Sequence, residues 1–403
     1  LSLRCTIKEC GSDSMRAAFA AHAPEDSVAR FELRDVSIPS LDGLPAGSVL
    51  IKTVASSICG SDLWGRGGSA ATDWRKQIDY LRIKRSCCGG SGHECIGEIA
   101  AVVEPCRFAV GDRVLAMVTS YISAVQSVRV IFEAETGFNA SDLPKQGCFA
   151  DYFISHQCAS LLVPVEALAS IPAPFDPRWI IAAQPLGTII HACKKLPNCL
   201  GKTVAVLGCG QNGLVMAQML GRLGARRVIC VDLLPSRVAA ARRVGKATHA
   251  LLSQGGPAGF AKIAAEVEAI TMGEWCDVAV DMVGHQDEVM NQCAELVKRQ
   301  GIVLLFGLPP AKEETGFTIQ FAHFKKNIRY LTSHSPAMDC FELALELIAQ
   351  RRFDVEGLFT HIVPFARFPE AYKMASDYTD DVIKTMVTYS MDGDEPDGPI
   401  VRV

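Results

Sequence analysis

The amino-acid sequence predicts an α/β protein with two domains, one rich in β-strands and one built on a doubly wound parallel sheet. Its 403 residues exceed the length at which a single hydrophobic core keeps growing, so two cores are expected. Short apolar runs broken by Gly, Pro and Asp fill residues 15–118, which is typical of β-strands. Over residues 188–333 strand-like and helix-like segments alternate, and such alternation predicts a parallel sheet with helices on both faces.

The first domain is predicted from three apolar runs, at residues 49–54, 96–103 and 113–117. Each run has the length and composition of a β-strand, and we assign residues 1–187 to this β-rich domain. Residues 120–147 form a long stretch that we predict to be irregular.

The second domain is assigned to residues 188–335. Its first predicted helix ends at Leu223 and its second begins at Pro235. The predicted strands are residues 203–207, 227–231, 277–281 and 302–307. A helix-like segment at 341–350 and strand-like segments at 361–364 and 383–388 follow. Because these have mixed character, we expect residues 336–403 to return to the first domain.

Composition and charge indicate a folded protein with no nucleic-acid or membrane partner. Hydrophobic residues make up 49% of the chain and charged residues 21%, and the formal net charge is -4. A nucleic-acid surface would need clustered Lys and Arg, and no apolar stretch approaches the roughly 20 residues of a transmembrane helix. The sixteen cysteines are scattered over a long chain, which favours a reducing cytoplasm over a secreted disulfide scaffold.

A glycine-rich turn carries the most specific local motif. The apolar strand at 203–207 runs directly into Gly208-Cys-Gly210-Gln-Asn-Gly213 and then into a helix, as in a Rossmann dinucleotide-binding domain. Gly208 permits the tight turn, Gly210 lets the backbone approach a pyrophosphate, and Gly213 lets helix and strand pack closely. The alternative is a glycine-bearing turn in an α/β domain that binds no nucleotide.

The acidic residue that ends the next strand favours NAD as the cofactor. Asp232 lies about 20 residues past the glycines, where a carboxylate binds both ribose hydroxyls and would repel a 2′-phosphate. Arg237 is close in sequence and weakens this discrimination against NADP. We assign Gln211 and Asn212, at the start of the helix, to the same cofactor site.

Candidate metal ligands occur in the first domain, within residues 57–62 and 92–97. Cys59, His93 and Glu94 are all competent zinc ligands. Three protein ligands and one open position are the arrangement of a catalytic zinc, whereas four ligands close a structural zinc. On spacing alone, a cysteine and a histidine some thirty residues apart are more often ordinary structure.

The chain resembles the zinc-containing alcohol dehydrogenases of the medium-chain dehydrogenase/reductase superfamily, particularly their sorbitol and threonine dehydrogenase-like branch. The resemblance rests on four motifs in family order: Cys59-Gly-Ser-Asp62, Gly92-His-Glu-x-x-Gly97, Gly111-Asp-Arg-Val114 and Val206-Leu-Gly-Cys-Gly-Gln-Asn-Gly213. It spans residues 15–389. It implies a GroES-like catalytic domain combined with a Rossmann domain that binds NAD.

The resemblance also implies a role for each residue of the first two motifs. Cys59 and His93 would bind one catalytic zinc, and Glu94 would be a third ligand or lie just behind the metal. Asp62 would accept a hydrogen bond from His93 and fix its tautomer. Ser61 would be the first member of a proton relay.

Two later strand ends are assigned to the nicotinamide half of the cofactor by the same resemblance. They are Val283-Gly284 and Gly307-Leu308-Pro309. The alternative is that they are simple turns between a strand and a loop. We take Val283, Gly307 and Leu308 as candidate cofactor contacts.

The sequence departs from the family pattern at several positions. Gln184, a further candidate catalytic residue, stands where relatives carry a glutamate or cysteine ligand, and a neutral amide is a weaker zinc ligand. Trp64 stands where relatives often place a proton-relay histidine, and tryptophan does not titrate. Residues 120–147 contain no cysteine, whereas many relatives carry four there, so we expect no structural zinc. We regard Cys87 and Cys88 as structural or incidental.

The expected activity is hydride transfer between NAD and a small alcohol or carbonyl compound, at family level a secondary alcohol or polyol. Two alternatives remain open. One is a zinc-free quinone or enoyl reductase of the same superfamily that uses NAD(P), which Gln184 and Trp64 favour. The other is a non-catalytic nucleotide-binding protein. By analogy we expect a homodimer or homotetramer.

Overall fold

A computed structural model of the chain describes residues 13–21, 30–63, 87–124, 126–158, 177–284, 287–307, 320–334, 338–389 and 398–403. The chain divides into two compact units. Unit 1 comprises residues 1–184 and 337–403, and unit 2 comprises residues 185–336. No helix within the described ranges is long and apolar enough to cross a membrane.

The elements are numbered in chain order. The strands are β1 (Ser14–Ala21), β2 (Arg30–Ser37), β3 (Ser48–Ser57), β4 (Cys95–Val102), β5 (Arg113–Ala116), β6 (Tyr152–His156), β7 (Thr203–Leu207), β8 (Arg227–Asp232), β9 (His249–Leu252), β10 (Cys276–Asp281), β11 (Val297–Leu305), β12 (Arg329–Thr332), β13 (His361–Pro364), β14 (Thr385–Thr388) and β15 (Val401–Arg402). The α-helices are α1 (Thr119–Ala124), α2 (Gln126–Thr136), α3 (Ala183–Cys193), α4 (Gln211–Arg222), α5 (Pro235–Arg243), α6 (Gly256–Thr271), α7 (Asp287–Leu296), α8 (Phe321–Lys325), α9 (Met338–Ala349) and α10 (Phe368–Asp377). Short 3-10 turns are Gly60–Leu63, Ala140–Asp142, Pro177–Ala182, Glu356–Leu358 and Phe365–Arg367.

Unit 1 is built on a mixed sheet with the strand order β15-β13-β14-β3-β4-β5, in which β6 also pairs with β3. Strand β3 is buried almost throughout, because it lies inside this sheet and pairs with β4, β6 and β14. Strands β1 and β2 form a separate antiparallel ribbon. Helix α10 packs against β2, where Phe31 contacts the rings of Phe368 and Tyr372 edge to face.

The pairing of β3 with β4 and β14 brings distant segments of unit 1 together. Ser56 lies opposite Cys95 of β4, and Ser57 lies opposite Met386 of β14. Both partners run antiparallel to β3, so the end of β3 meets the beginnings of β4 and β14. Residues 58–62, 93–94 and 384 are therefore neighbours, and they form the candidate metal site described below.

The prediction of an irregular stretch at residues 120–147 was wrong, because α1, α2 and a 3-10 turn occupy most of it. These elements share a small apolar core. Its buried members are Ile122, Val128, Phe132, Ala140 and Leu143. Helix α1 is only 6 residues long. In α2, the apolar residues Val130 and Ile131 are exposed beside the buried Val128 and Phe132, so its apolar residues do not mark a single face in the sequence.

Unit 2 contains a six-stranded sheet in the order β12-β11-β10-β7-β8-β9, with every neighbouring pair parallel. Counted from β7, this is the 3-2-1-4-5-6 order of a Rossmann fold. All five residues of β7 are buried, as expected for a central strand of a parallel sheet. The predicted α/β fold, a doubly wound domain and a β-rich domain, is confirmed.

The strand predicted at residues 302–307 differs most from the observed one, since β11 runs from Val297 to Leu305. The first half of this strand contains the exposed residues Lys298, Arg299 and Gln300, so it does not appear as an apolar run in the sequence. The pairing with β10 also shifts register, from Cys276 opposite Val297 to residues 278 and 302. The helix predicted at 341–350 begins earlier, at residue 338, and the strand at 383–388 begins later, at residue 385.

Candidate active site

Cys59, His93 and Glu94 lie together in unit 1. Their possible ligand atoms are all within 4.8 Å of one another, and all three residues are buried. Cys59 follows β3 by two residues and Glu94 directly precedes β4, so strand pairing brings the two loops together. A thiol, an imidazole and a carboxylate are a donor set suited to zinc, with a fourth position left for substrate or water. The residues present therefore fit a single catalytic zinc.

Asp62 connects the loops that carry Cys59 and His93. Its Oδ2 accepts a hydrogen bond from the Cys59 backbone N–H at 2.8 Å. Its Oδ1 accepts a hydrogen bond from the Ser91 hydroxyl at 2.7 Å and lies 3.5 Å from His93 Nδ1. Burial alone would raise the pKa of Asp62, but His93 and the hydrogen bonds from Ser91 and Cys59 hold that pKa below its usual value. The carboxylate is thus ionised and fixed from both sides.

The His93 ring is oriented by its Nδ1–H, which donates to the Ser91 backbone carbonyl at 2.9 Å. This bond leaves Nε2 for a metal, and Ser61 Oγ lies 3.4 Å from Nε2. Burial lowers the pKa of His93, but the charge of Asp62 and the Cys59 sulfur raise it well above its usual value. A metal that binds Nε2 would therefore displace a proton.

Glu94 forms a buried ion pair with Lys384, which the sequence motifs do not predict. Lys384 Nζ and Ser57 Oγ both donate to its Oε2, and the side chains of Glu94 and Lys384 are both 0% exposed. Oε1 is also buried, with no hydrogen-bond partner among the residues that the structure describes. A buried polar atom without a hydrogen-bond partner destabilises the folded protein by about 1–3 kcal/mol, and a cation bound to Oε1 would remove that penalty.

Gln184 is buried at the second position of α3. The 3-10 turn before it, Pro177–Ala182, packs against β3 and β4, the two strands that are followed or preceded by the candidate ligands. Three other residues that the sequence analysis singled out, Trp64, Leu308 and Pro309, lie outside the described residues.

The paired cysteines before His93 remain thiols. Cys87 Sγ donates to the Gly90 carbonyl at 3.2 Å, and burial raises the pKa of Cys88 to about 11. A thiol with so high a pKa is a poor nucleophile at neutral pH.

The glycine-rich turn lies at the carboxyl end of β7 in unit 2. Gly208 has a positive φ of 99°, and a Cβ on Gly213 would lie 1.9 Å from the Gly208 carbonyl oxygen. Gly210 is the N-cap of α4, and the atom nearest to the place of its missing Cβ is Arg237 Nη1, at 3.9 Å. The space over Gly210 is thus open beside a helix N-terminus, which suits a pyrophosphate.

Asp232 ends β8 and braces this turn. Its Oδ2 accepts a hydrogen bond from the Cys209 backbone N–H at 2.7 Å, and its Oδ1 accepts one from Leu234 N–H at 2.9 Å. Burial lowers the pKa of Arg237, while the charge of Asp232 raises it. Beside them, Asn212 Oδ1 is buried without a hydrogen-bond partner in the described part of the chain.

The carboxyl ends of β10 and β11 lie next to the glycine-rich turn. Val283 Cγ2 stands 2.9 Å from the place of a Cβ on Gly208, and a Cβ on Gly307 would lie 2.1 Å from Gly284 N. Asp281 Oδ1 accepts hydrogen bonds from Val283 and Gly284 N–H at 2.9 and 3.0 Å. Asp281 belongs to no motif in the sequence, although it ends a predicted strand in the same way as Asp232.

Two family models match the chain. Residues 45–167 match the alcohol dehydrogenase GroES-like domain, and residues 213–350 match the zinc-binding dehydrogenase model. These two segments contain the candidate ligands and Gly213, the last glycine of the dinucleotide turn.

Known proteins are similar to this chain over most of its length. The sorbitol dehydrogenase of Bacillus subtilis (strain 168) is 27% identical over 344 residues, which cover 84% of this chain and 89% of the relative. The uncharacterized zinc-type alcohol dehydrogenase-like protein YphC of Escherichia coli (strain K12) is 31% identical over 281 residues, covering 67% and 72%. The solved alcohol dehydrogenase TADH from Thermus sp. ATN1 covers 93% of this chain and 100% of its own, with a TM-score of 0.70 and 19% identity. That last likeness shows a shared fold.

Proposed function

Because the chain belongs to the zinc-containing alcohol dehydrogenase family of medium-chain dehydrogenases/reductases, we propose that it oxidises a secondary alcohol or polyol at the site of Cys59, His93 and Glu94. The observation that carries this proposal is the gathering of three buried zinc-type ligand atoms within 4.8 Å. The similarity to a sorbitol dehydrogenase supports a polyol as the substrate class, and the reverse reaction would reduce the corresponding carbonyl compound.

The residues of the site have different roles in the proposed reaction. Cys59, His93 and Glu94 would hold the metal, and Asp62 fixes the loops of the first two ligands through its hydrogen bonds. When bound, zinc lowers the pKa of the substrate hydroxyl, and the nicotinamide accepts the hydride. Ser61 Oγ lies beside His93 Nε2, so its hydroxyl would act as a relay: it would accept the proton that leaves the substrate while it donates its own proton to water.

We propose NAD as the cofactor, bound by unit 2. Each Asp232 oxygen accepts one backbone hydrogen bond and keeps a second lone pair for a ribose hydroxyl. Its negative charge disfavours a 2′-phosphate. Gln211, Asn212 and Arg237 line the glycine-rich turn in this proposal, and Val283, Gly307 and Leu308 contact the nicotinamide half.

We further propose one zinc per chain, without a structural zinc, because an apolar core holds residues 119–143 together. Residues 1–187 and 336–403 would form the catalytic domain and residues 188–335 the NAD-binding domain. None of the described cysteines forms a disulfide, which supports a cytoplasmic location. Strand β12 is an edge of the described sheet, where a second copy can add strands, so we propose a homodimer or homotetramer.

Metal analysis combined with a substrate screen tests the function. We expect about one zinc per chain, loss of turnover with a chelator, and reduction of NAD but not NADP by at least one alcohol of a panel of secondary alcohols and polyols. The zinc-free reductase, which Gln184 favours, predicts no metal and NAD(P)H-dependent reduction of quinones or enones. A non-catalytic protein predicts binding of NAD without turnover. Either result would overturn the proposal.

A further inference from the structure

The buried, positively charged side chain of Lys384 contacts Glu94, a candidate ligand of a divalent cation. Its ammonium group donates to Glu94 Oε2, and neither side chain reaches solvent. A lysine here repels the metal through space, and a buried ion pair seldom stabilises a fold more than apolar residues of the same size. Stability alone therefore does not explain this pair.

The two oxygens of Glu94 differ sharply in their surroundings. Oε2 receives two donors, Lys384 Nζ and Ser57 Oγ, whereas Oε1 has no hydrogen-bond partner in the described chain. A carboxylate held in this way cannot rotate without breaking a charge-assisted hydrogen bond. Its free oxygen is thereby aimed in one direction, and both oxygens cannot bind one ion.

We propose that Lys384 is a positioning residue of the metal centre, which together with Ser57 occupies Glu94 Oε2 and leaves Oε1 as the single oxygen offered to the metal. This inference rests on the proposed function, since it assumes that Cys59, His93 and Glu94 hold zinc. It accounts for the use of Glu94 as third ligand in a chain where Gln184 supplies only a neutral amide.

The fold holds Lys384 firmly enough for this role. Its backbone carbonyl accepts hydrogen bonds from the N–H and the hydroxyl of Thr360, at 3.0 and 3.3 Å. Its Nζ lies 5.8 Å from the centre of the Phe359 ring, within range of a cation–π interaction. Pairing of β14 with β3 sets the position of the backbone, so the C-terminal part of unit 1 completes a site whose ligands come from its N-terminal part.

Zinc affinity of two variants tests the proposal, measured by competition with a chromophoric chelator on the full-length protein. Lys384→Met keeps the length of the side chain and removes the charge, and we expect zinc binding to weaken about 10–100-fold. Lys384→Arg keeps the charge and is expected to recover most of the loss. Cobalt(II) substituted for zinc gives a second readout, because its visible spectrum reports the ligand set. We expect this spectrum to change in Lys384→Met and to be retained in Lys384→Arg.

A double-mutant cycle with Glu94→Gln separates positioning from a merely structural role. If Lys384 acts through Glu94, Lys384→Met has no further effect on zinc affinity once Glu94 is Gln. Removing both charges leaves no unpaired ion, so the double variant should fold even if Lys384→Met alone does not. A further loss of affinity in that background would overturn the proposal, as would wild-type zinc affinity and an unchanged cobalt spectrum in Lys384→Met.

If the proposed zinc-dependent function is wrong, the experiments give a different result from the one expected if only the role of Lys384 is wrong. In that case the wild-type protein binds no zinc, or Cys59→Ser retains it. If only the inference about Lys384 fails, the wild type binds zinc, Cys59→Ser loses it, and the change at Lys384 has no effect that depends on Glu94.

Discussion

Asp62→Asn is the substitution that most directly tests how the metal ligands are held. The Asp62 carboxylate accepts hydrogen bonds from Cys59 N–H at 2.8 Å and from the Ser91 hydroxyl at 2.7 Å, one on each oxygen. An asparagine of the same shape has only one oxygen. Its amide nitrogen must therefore face one of these two donors, and it also faces His93 if it takes the place of Oδ1.

The magnitude follows from these contacts. The loss of a hydrogen bond to a charged group costs about 1.5–3 kcal/mol, so we expect the free energy of unfolding of the metal-free protein to fall by about that amount. Residues that support metal ligands typically contribute about 10–100-fold in metal affinity. At 1.36 kcal/mol per tenfold change, this corresponds to about 1.4–2.7 kcal/mol, which matches the loss expected for one hydrogen bond.

Zinc affinity by chelator competition and urea unfolding in the presence of a chelator measure the two effects. Asp112→Asn is the matched control, because Asp112 Oδ2 accepts one backbone hydrogen bond, from Ala109 at 2.8 Å, which the asparagine oxygen keeps. Asp112→Asn should leave zinc affinity unchanged. If Asp62→Asn binds zinc as tightly as the wild type while its stability falls, Asp62 supports the fold but does not position the ligands.

Three further substitutions test the rest of the site. Cys59→Ser should lower zinc affinity at least about 10-fold and abolish turnover. Cys106→Ser, at a partly buried thiol, should change neither. Equal metal content in the two variants would contradict the ligand assignment. Gly213→Ala should destabilise unit 2 and prevent NAD binding, because its Cβ would lie 1.9 Å from a carbonyl oxygen. Gly221→Ala in the same helix meets nothing within 4 Å and should raise the free energy of unfolding by roughly 0.5–1 kcal/mol. Calorimetry and NAD titration compare the two variants, and tight NAD binding by Gly213→Ala would contradict the assignment of the glycine-rich turn to the cofactor. Asp232→Ser should raise the KM for NAD and lower the KM for NADP, as measured by steady-state kinetics with both cofactors. If Asp232 does not discriminate between the two cofactors, the preference for NAD over NADP will be unchanged.

The sequence was informative wherever a constraint acts over a few residues. Gly213 must be glycine because of the carbonyl of Gly208, five positions earlier, and both belong to one motif. Likewise, β7 has the same bounds in the prediction and in the structure, because its apolar run is continuous. Family motifs extended this to Cys59 and His93, which no local pattern would have singled out.

The parts that could not be predicted depend on contacts between segments distant in sequence. Lys384 is 290 residues from Glu94, and nothing around Lys384 distinguishes it from a solvent-exposed lysine. Ser57 and Ser91 are ordinary serines until strand pairing places one against Glu94 and the other against Asp62. The helices at residues 119–136 were missed for a local reason, since α1 has only 6 residues and the exposed apolar residues Val130 and Ile131 obscure the buried face of α2.

The identity of the third ligand illustrates why motif matching alone leaves such a site undetermined. Gln184 weakens the expectation of a metal, and from the sequence it equally supports loss of zinc. The structure changes that balance, because Glu94 has one oxygen neutralised by Lys384 and another with no hydrogen-bond partner among the described residues. A chain that had lost its metal would gain by replacing this buried charge pair with apolar side chains. The presence of the pair, next to a thiol and an imidazole, is therefore an argument for zinc that does not depend on the residue at position 184.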